Sequence, residues 1–264
     1  ADQYDRLKTA QGIAVPDYPG ITTFTIKMNN AKGPTADPNF RKAIAYAFDY
    51  DALLQIHNNA ATLMTSPFPN AVGCHMDVAD RPKRDLAKAK EYLAKSAYPN
   101  GAEIEYIHVQ GVEDPRRIGL ALLNSLQPLN IKVNITAAPW PTMVQRGAKP
   151  ETTPDTFSVY VTPVSIDPDV VAGQYHPKSL GQYWYTHHYK NDEVSALVDK
   201  ARLETDQGKR CDMYKQIQQK ITADTPEILG MLANRRWAHR DYVKGFVYSP
   251  VRLLGEVDFH TVWI

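Results

Sequence analysis

The sequence predicts an α/β fold, a mixed and largely parallel sheet flanked by helices. Three observations carry that expectation. Stretches in which apolar side chains alternate singly take turns along the chain with stretches in which they recur at helical spacing. One strand feeds straight into a helix whose start is marked by an aspartate and a proline. And 264 residues, 43% of them hydrophobic, can bury a sizeable core as one large domain or two small ones.

In chain order, Thr22, Phe24, Ile26 and Met28 alternate with Thr23, Thr25 and Lys27, the period of a half-buried strand, and residues 29–33 make a turn. Asp37 then offers a carboxylate to free helical amides and Pro38 suits the first helical position, while Phe40, Ile44, Ala47 and Phe48 form a buried stripe. Residues 60–81, with Pro67, Pro69 and Gly73, read as an irregular excursion. Leu86, Ala89, Leu93 and Ala97 mark an amphipathic helix that keeps Lys88, Lys90, Glu91 and Lys95 in solvent, and a strand follows at 104–109. Asp114-Pro115 repeats the cap-then-proline device ahead of a helix buried through Ile118, Leu122, Leu126 and Leu129. Ile131, Val133, Ile135 and Ala137 alternate as a strand with one polar face, and Pro139-Trp140-Pro141 turns the chain into a short helix around Met143. Phe157, Val159 and Val161 mark a further strand. Two helices, carrying Val194, Leu197, Val198 and Ala201 and then Tyr214, Ile217 and Ile221, lead to a returning strand at 228–232.

Thirty basic against twenty-nine acidic residues give a net charge of +1, which supplies no electrostatic case for nucleic acid or an anionic membrane as the main partner. No apolar run approaches the length of a bilayer span, and the first residues lack a basic, apolar leader, so the chain is expected to be soluble, with any export signal removed or not included. The two cysteines lack CxxC spacing; Cys211 is expected as a small buried hydrophobe, Cys74 in a turn-rich stretch, and a bridge between them is not expected. His187 and His188 are adjacent and so do not share a helix face, which argues against a metal site, and no cofactor is implied. No GxSxG, HExxH or phosphate-cradling glycine loop is present, which argues against an enzyme.

The segment from the strand through "MNN" to "DPNFRKAIAYAFDYDALL" resembles the signature region of the extracytoplasmic solute-binding proteins of peptide and nickel ABC transporters. "DLAKAKEYLAKSAYPNG", "LNIKVNITAAPWPTMVQR", "IDPD", "NDEVSALVDKAR" and "RCDMYKQIQQKITADTP" extend the resemblance in the same order over nearly the whole chain. The resemblance implies a periplasmic-binding-protein-like lobe of type II and a match to the C-terminal portion of such proteins. Residues 1–20 would be the tail of the first lobe, 21–234 the second lobe and 235–264 a return segment. It further implies a monomer, periplasmic or extracellular and membrane-tethered in a Gram-positive source, that passes a peptide-like or other small polar solute to a membrane permease.

Ligands of open α/β sheets sit beyond the carboxyl ends of strands, and two loops fit that rule. In residues 110–117 a strand gives way to a helix start carrying Arg116 and Arg117, either of which could dock a carboxylate or simply pair on the surface; in dipeptide-binding members an arginine in a similar place is thought to hold the peptide carboxylate. In residues 160–169, Tyr160, Thr162, Ser165 and Asp167 combine an aromatic face, hydroxyls and carboxylate, although Asp167 also suits a helix cap. Family members often place a tryptophan and an ammonium-pairing aspartate in this loop; Val161 and Val164 stand near those places here, a departure from the dipeptide pattern. Trp140 could wall the cleft and Asn29, at the expected lobe crossing, could bond ligand or hinge backbone, while the tyrosines of 174–189 could line a cleft or lie on the surface. The favoured function is solute binding for import; the alternatives are the sensory domain of a regulator and, less favoured, a hydrolytic enzyme.

Overall fold

A computed structural model describes residues 3–249, 251 and 260–264. The helices are α1 (Tyr4–Lys8), α2 (Pro38–Ala47), α3 (Asp51–Ile56), α4 (Leu86–Ala94), α5 (Glu113–Leu126), α6 (Trp140–Gly147), α7 (Pro168–Ala172), α8 (Asp192–Leu203) and α9 (Gln207–Asp224). The strands are β1 (Ile13–Ala14), β2 (Asp17–Met28), β3 (Ala61–Leu63), β4 (Glu103–Val109), β5 (Lys132–Ala138), β6 (Thr156–Val161), β7 (Glu227–Arg236) and β8 (His239–Arg240). Most boundaries fall where capping and periodicity put them. Asp37 accepts from the amides of Asn39 and Phe40 at the start of α2, and Asp85 and Asn191 do the same for α4 and α8. Helix α5 differs: it starts at Glu113 behind Val112, so Asp114 lies inside the first turn and its carboxylate is free for another partner.

The main sheet has the order β3-β7-β2-β6-β4-β5 among the described residues. It is mixed, but parallel pairing is confined to β4 with β5 and β4 with β6; β2 runs antiparallel to both β6 and β7, and β7 antiparallel to β3. The crossovers through α5 and α6 enforce the parallel half, whereas α9 delivers β7 beside β2 from the opposite end. Strand β2 is therefore central and covered on both faces, not half-buried. Phe24, Ile26 and Met28 join the core formed with α2, α4 and α5. On the other face Thr25 and Lys27 are only 2% exposed, under a second layer whose core is built by α7, α8 and α9 with Phe68, Val72 and Tyr175. Burying Lys27 requires a partner, and Glu227 of β7 supplies it at 2.6 Å, with the hydroxyl of Tyr175 donating to the same carboxylate.

The excursion at 64–82 is pinned to α9. Gln218 accepts from Ser66 Oγ at 2.6 Å and from the Met76 amide at 3.1 Å, and donates to the Cys74 carbonyl at 2.8 Å. Beside it Cys74 and Cys211 form a disulfide with Cα atoms 5.0 Å apart, so both cysteines are bonded and the expectation of an unbridged pair is overturned. Packing of Phe68 and Val72 against Tyr214 and Ile217 brings the two thiols within reach across 137 residues, a juxtaposition no spacing rule encodes.

Candidate functional site at the carboxyl end of the sheet

β4, β5 and β6 end on the same side of the sheet, where β7 also ends and β2 begins. In β2 the register slips between Tyr18 and Thr22, which face Arg235 and Ala233 of β7. Gly20 permits this bulge, because a Cβ there would sit 1.8 Å from the Ala233 carbonyl oxygen. The bend aligns Thr22 with Thr162 just past β6: their hydroxyl oxygens are 2.9 Å apart, and Arg235 donates from Nη2 to Thr22 Oγ1 at 3.1 Å.

On the same sheet face, Tyr160 stacks at a tilt on Phe24 with ring centroids 4.7 Å apart, and its hydroxyl lies 3.2 Å from Nε2 of His57, the residue closing α3. Nδ1 of His57 lies 3.7 Å from a carboxylate oxygen of Asp114. Burial pushes the His57 pKa down and Asp114 opposes that shift, while burial pushes the Tyr160 phenol up. A cavity of about 550 Å³ opens here, lined by His57, Asp114, Asn234, Arg235 and Arg236 from the sheet end and by Tyr4 of α1. A second, more apolar cavity of about 450 Å³ lies beyond β6, between Thr162, Val164, Val170, Tyr183 and Trp184, with the Arg202–Asp169 ion pair on its wall.

These two cavities gather some of the residues read from sequence and leave others out. Tyr160 and Thr162 stand at the sheet end, and Thr162 lines the second cavity. Trp140 opens α6, partly exposed, with its ring 5.2 Å from that of Tyr183, so it borders the same rim. Arg116 and Arg117 are exposed on α5, and Arg116 directs Nε and Nη2 to the carboxylate of Glu113 at 2.9 and 2.7 Å. Asp167 caps α7 through the Asp169 amide and pairs with Arg210 at 2.8 Å, which holds its carboxyl below the usual carboxylate range; the Asp167 amide in turn donates to Ser165 Oγ. Asp167 is thus held by the start of α7 and by Arg210 of α9, and Ser165 Oγ accepts from the loop backbone. Asn29 is at the opposite end of β2, roughly 20 Å from Thr162 at ordinary strand rise, and is 1% exposed. Its side-chain amide donates to the carbonyls of Pro150 and Thr153 and its oxygen accepts from Ala31, so it is a scaffold residue. His187 and His188 are buried among Tyr175, Tyr185 and Tyr189. Among the described residues no group of three or more His, Cys, Asp or Glu side chains could hold a metal ion.

Sequence reasoning missed Thr22, His57, Asp114 and Arg235 as members of this cluster. Arg235 had a signal: it continues the alternation Met231, Ala233, Arg235 beyond the expected strand end, which puts it on the Phe24 and Tyr160 side.

The mixed sheet between two helical layers is the fold of type II periplasmic binding proteins, on whose solved structures the chain superposes. The chain belongs to the bacterial extracellular solute-binding proteins, family 5, whose model matches residues 1–210. It is 26% identical over 267 aligned positions to the probable D,D-dipeptide-binding periplasmic protein DdpA of Escherichia coli, covering 95% of this chain and 48% of that protein. It is 25% identical to heme-binding protein A of Haemophilus influenzae, covering 93% and 45%. Among solved structures it superposes on a putative peptide-binding protein AppA from Clostridium difficile with a TM-score of 0.88 at 21% identity, covering 100% of this chain and 55% of the other. The chain therefore spans about half the length of the curated relatives it matches.

Proposed function

We propose that this chain supplies one lobe of the substrate-binding component of an ABC importer, which closes on a peptide-like or other small polar solute and delivers it to a membrane permease. The carrying observation is the sheet-end cluster of Arg235, Thr22, Thr162, Tyr160, His57 and Asp114, opening into a cavity where β2 and β7 approach the ribbon of β1 and β8. Aromatic and hydroxyl groups beside a guanidinium and a carboxylate orient a polar solute without bond chemistry, and the related proteins are named for binding. Residues 1–20 and 235–264 would carry the chain to the other lobe, so that a solute preferring the closed arrangement shifts the population towards it. The working place is the periplasm, or the outer face of the membrane in a Gram-positive cell, and the Cys74–Cys211 disulfide suits either compartment.

A thermal-shift panel of peptides, sugars, amino-acid conjugates and nickel chelates tests this reading on the full-length protein. A solute at a hundred times its Kd adds about 2.7 kcal/mol, a shift of several degrees. A well-folded protein that no member of the panel stabilises would count against solute import.

A further inference from the structure

Two half-buried arginines, Arg81 and Arg235, have no acidic partner among the described residues, and of the two it is Arg235 that lines the 550 Å³ cavity. Elsewhere in the chain, Arg236 pairs with Asp17 at 2.7 Å, Arg146 with Glu105 at 2.7 Å, Arg202 with Asp169 at 2.8 Å and Arg210 with Asp167 at 2.8 Å. Buried Arg41 donates to the carbonyls of Thr35, Ala36, Asp224 and Thr225. Arg235 donates to the neutral hydroxyl of Thr22 and has no acidic partner among the described residues, although it lines the wall of the 550 Å³ cavity. A guanidinium drawn partly out of water with most of its donors unused is a recognition group awaiting an anion.

We propose that Arg235, oriented by Thr22 and Thr162, holds a carboxylate of the bound solute, and that Arg116 and Arg117 do not. The proposal rests on the solute-binding reading above. Thr22 Oγ1 accepts from Arg235 and meets Thr162, so the two hydroxyls fix the guanidinium on the cavity wall. The carboxylate then receives the guanidinium's remaining N–H donors, a charge-assisted set. Asp114 lines the same cavity, so it repels a second anion and directs the acidic end of the solute to the β7 wall. Arg116 already spends two donors on Glu113, and both Arg116 and Arg117 are exposed on α5, where an ion pair gains little.

Calorimetry on the full-length protein decides the matter, with dipeptides and N-acyl amino acids, their C-terminal amides and neutral sugars as probes. At least one free acid is expected to bind the wild type and its amide at least about tenfold more weakly, since the amide cannot take the fork. Arg235→Gln should weaken the acid by about 30-fold or more and leave the amide unchanged, Arg235→Lys should fall between, and the Arg116→Gln/Arg117→Gln pair should stay within about threefold of wild type. Should Arg235→Gln fail to fold, Arg235→Lys and the acid-to-amide ratio in the wild type still decide. An acid that binds Arg235→Gln as tightly as wild type, an amide equal to its acid, or loss confined to the Arg116/Arg117 pair would overturn the assignment. Binding of a neutral sugar alone, indifferent to Arg235→Gln, would remove the anchor and keep solute binding, whereas silence across the whole panel would remove both.

Discussion

Glu227 shows what a single side chain carries in this protein. Its carboxylate holds Lys27 at 2.6 Å and accepts from Tyr175 in a region 1–3% exposed, and the Tyr175 phenol is held well above its usual pKa by burial and by Glu227. Replacing Glu227 with Gln would leave the Lys27 ammonium buried without a counter-charge, a loss of about 3–5 kcal/mol. A urea-denaturation midpoint falling by about 1 M or more is the expected result, and combining Lys27→Met with Glu227→Gln should recover most of it, since no charge is then left buried. A single mutant as stable as wild type would show that the pair is not isolated from water. The sequence gives Lys27 as one polar member of an alternating strand, a pattern read as a solvent face. Only the second helical layer, more than a hundred residues later in the chain, makes it a buried ion.

At the scale of elements, the segment 64–82 has no regular hydrogen-bonding pattern of its own and depends on α9 for its place, through Gln218, Phe68, Val72 and the disulfide. Cross-linking residues 137 apart restricts the unfolded chain, and removing such a bridge costs roughly 2–5 kcal/mol. Cys74→Ser/Cys211→Ser should therefore melt well below wild type, and the wild type with reductant should approach the variant; equal melting temperatures with and without reductant would show that the bridge adds nothing. The elements themselves were largely legible: Asp37 and Pro38 placed α2, apolar residues at helical spacing placed α4, and clean alternation placed β5 and β6. The start of α5 was not, because Asp-Pro there is a helix's first turn behind an uncapped Val112, and this frees Asp114 to face His57.

Across the whole molecule, the buried histidines set the response to acid. His187 is pushed well below its ordinary pKa by burial and by the nearby Lys27, and His188 to about 4 by burial. Unfolded, both would take protons near 6.5, so between that pH and their folded values the unfolded chain binds more protons than the native one. Stability should therefore be level above about pH 6.5 and fall as pH drops towards 4, with a slope of up to about 1.4 kcal/mol per unit for each group. Urea melts across that range test the sign. His188→Gln should flatten the slope, and stability rising on acidification would contradict this account.

The sequence by itself determined the alternation of strands and helices, and the family resemblance in its motifs pointed to a solute-binding lobe, because periodicity, caps and motifs act over a few residues. It also placed Tyr160 and Thr162 at a strand end. Tertiary structure alone decided that Cys74 meets Cys211, that Asn29 bonds the Pro150 and Thr153 carbonyls at the far end of β2, that Asp167 pairs with Arg210, and that Arg235 reaches Thr22 while Thr22 meets Thr162. Each of those contacts joins residues from 43 to more than two hundred positions apart. Strand order and packing set such distances, and no local pattern records them.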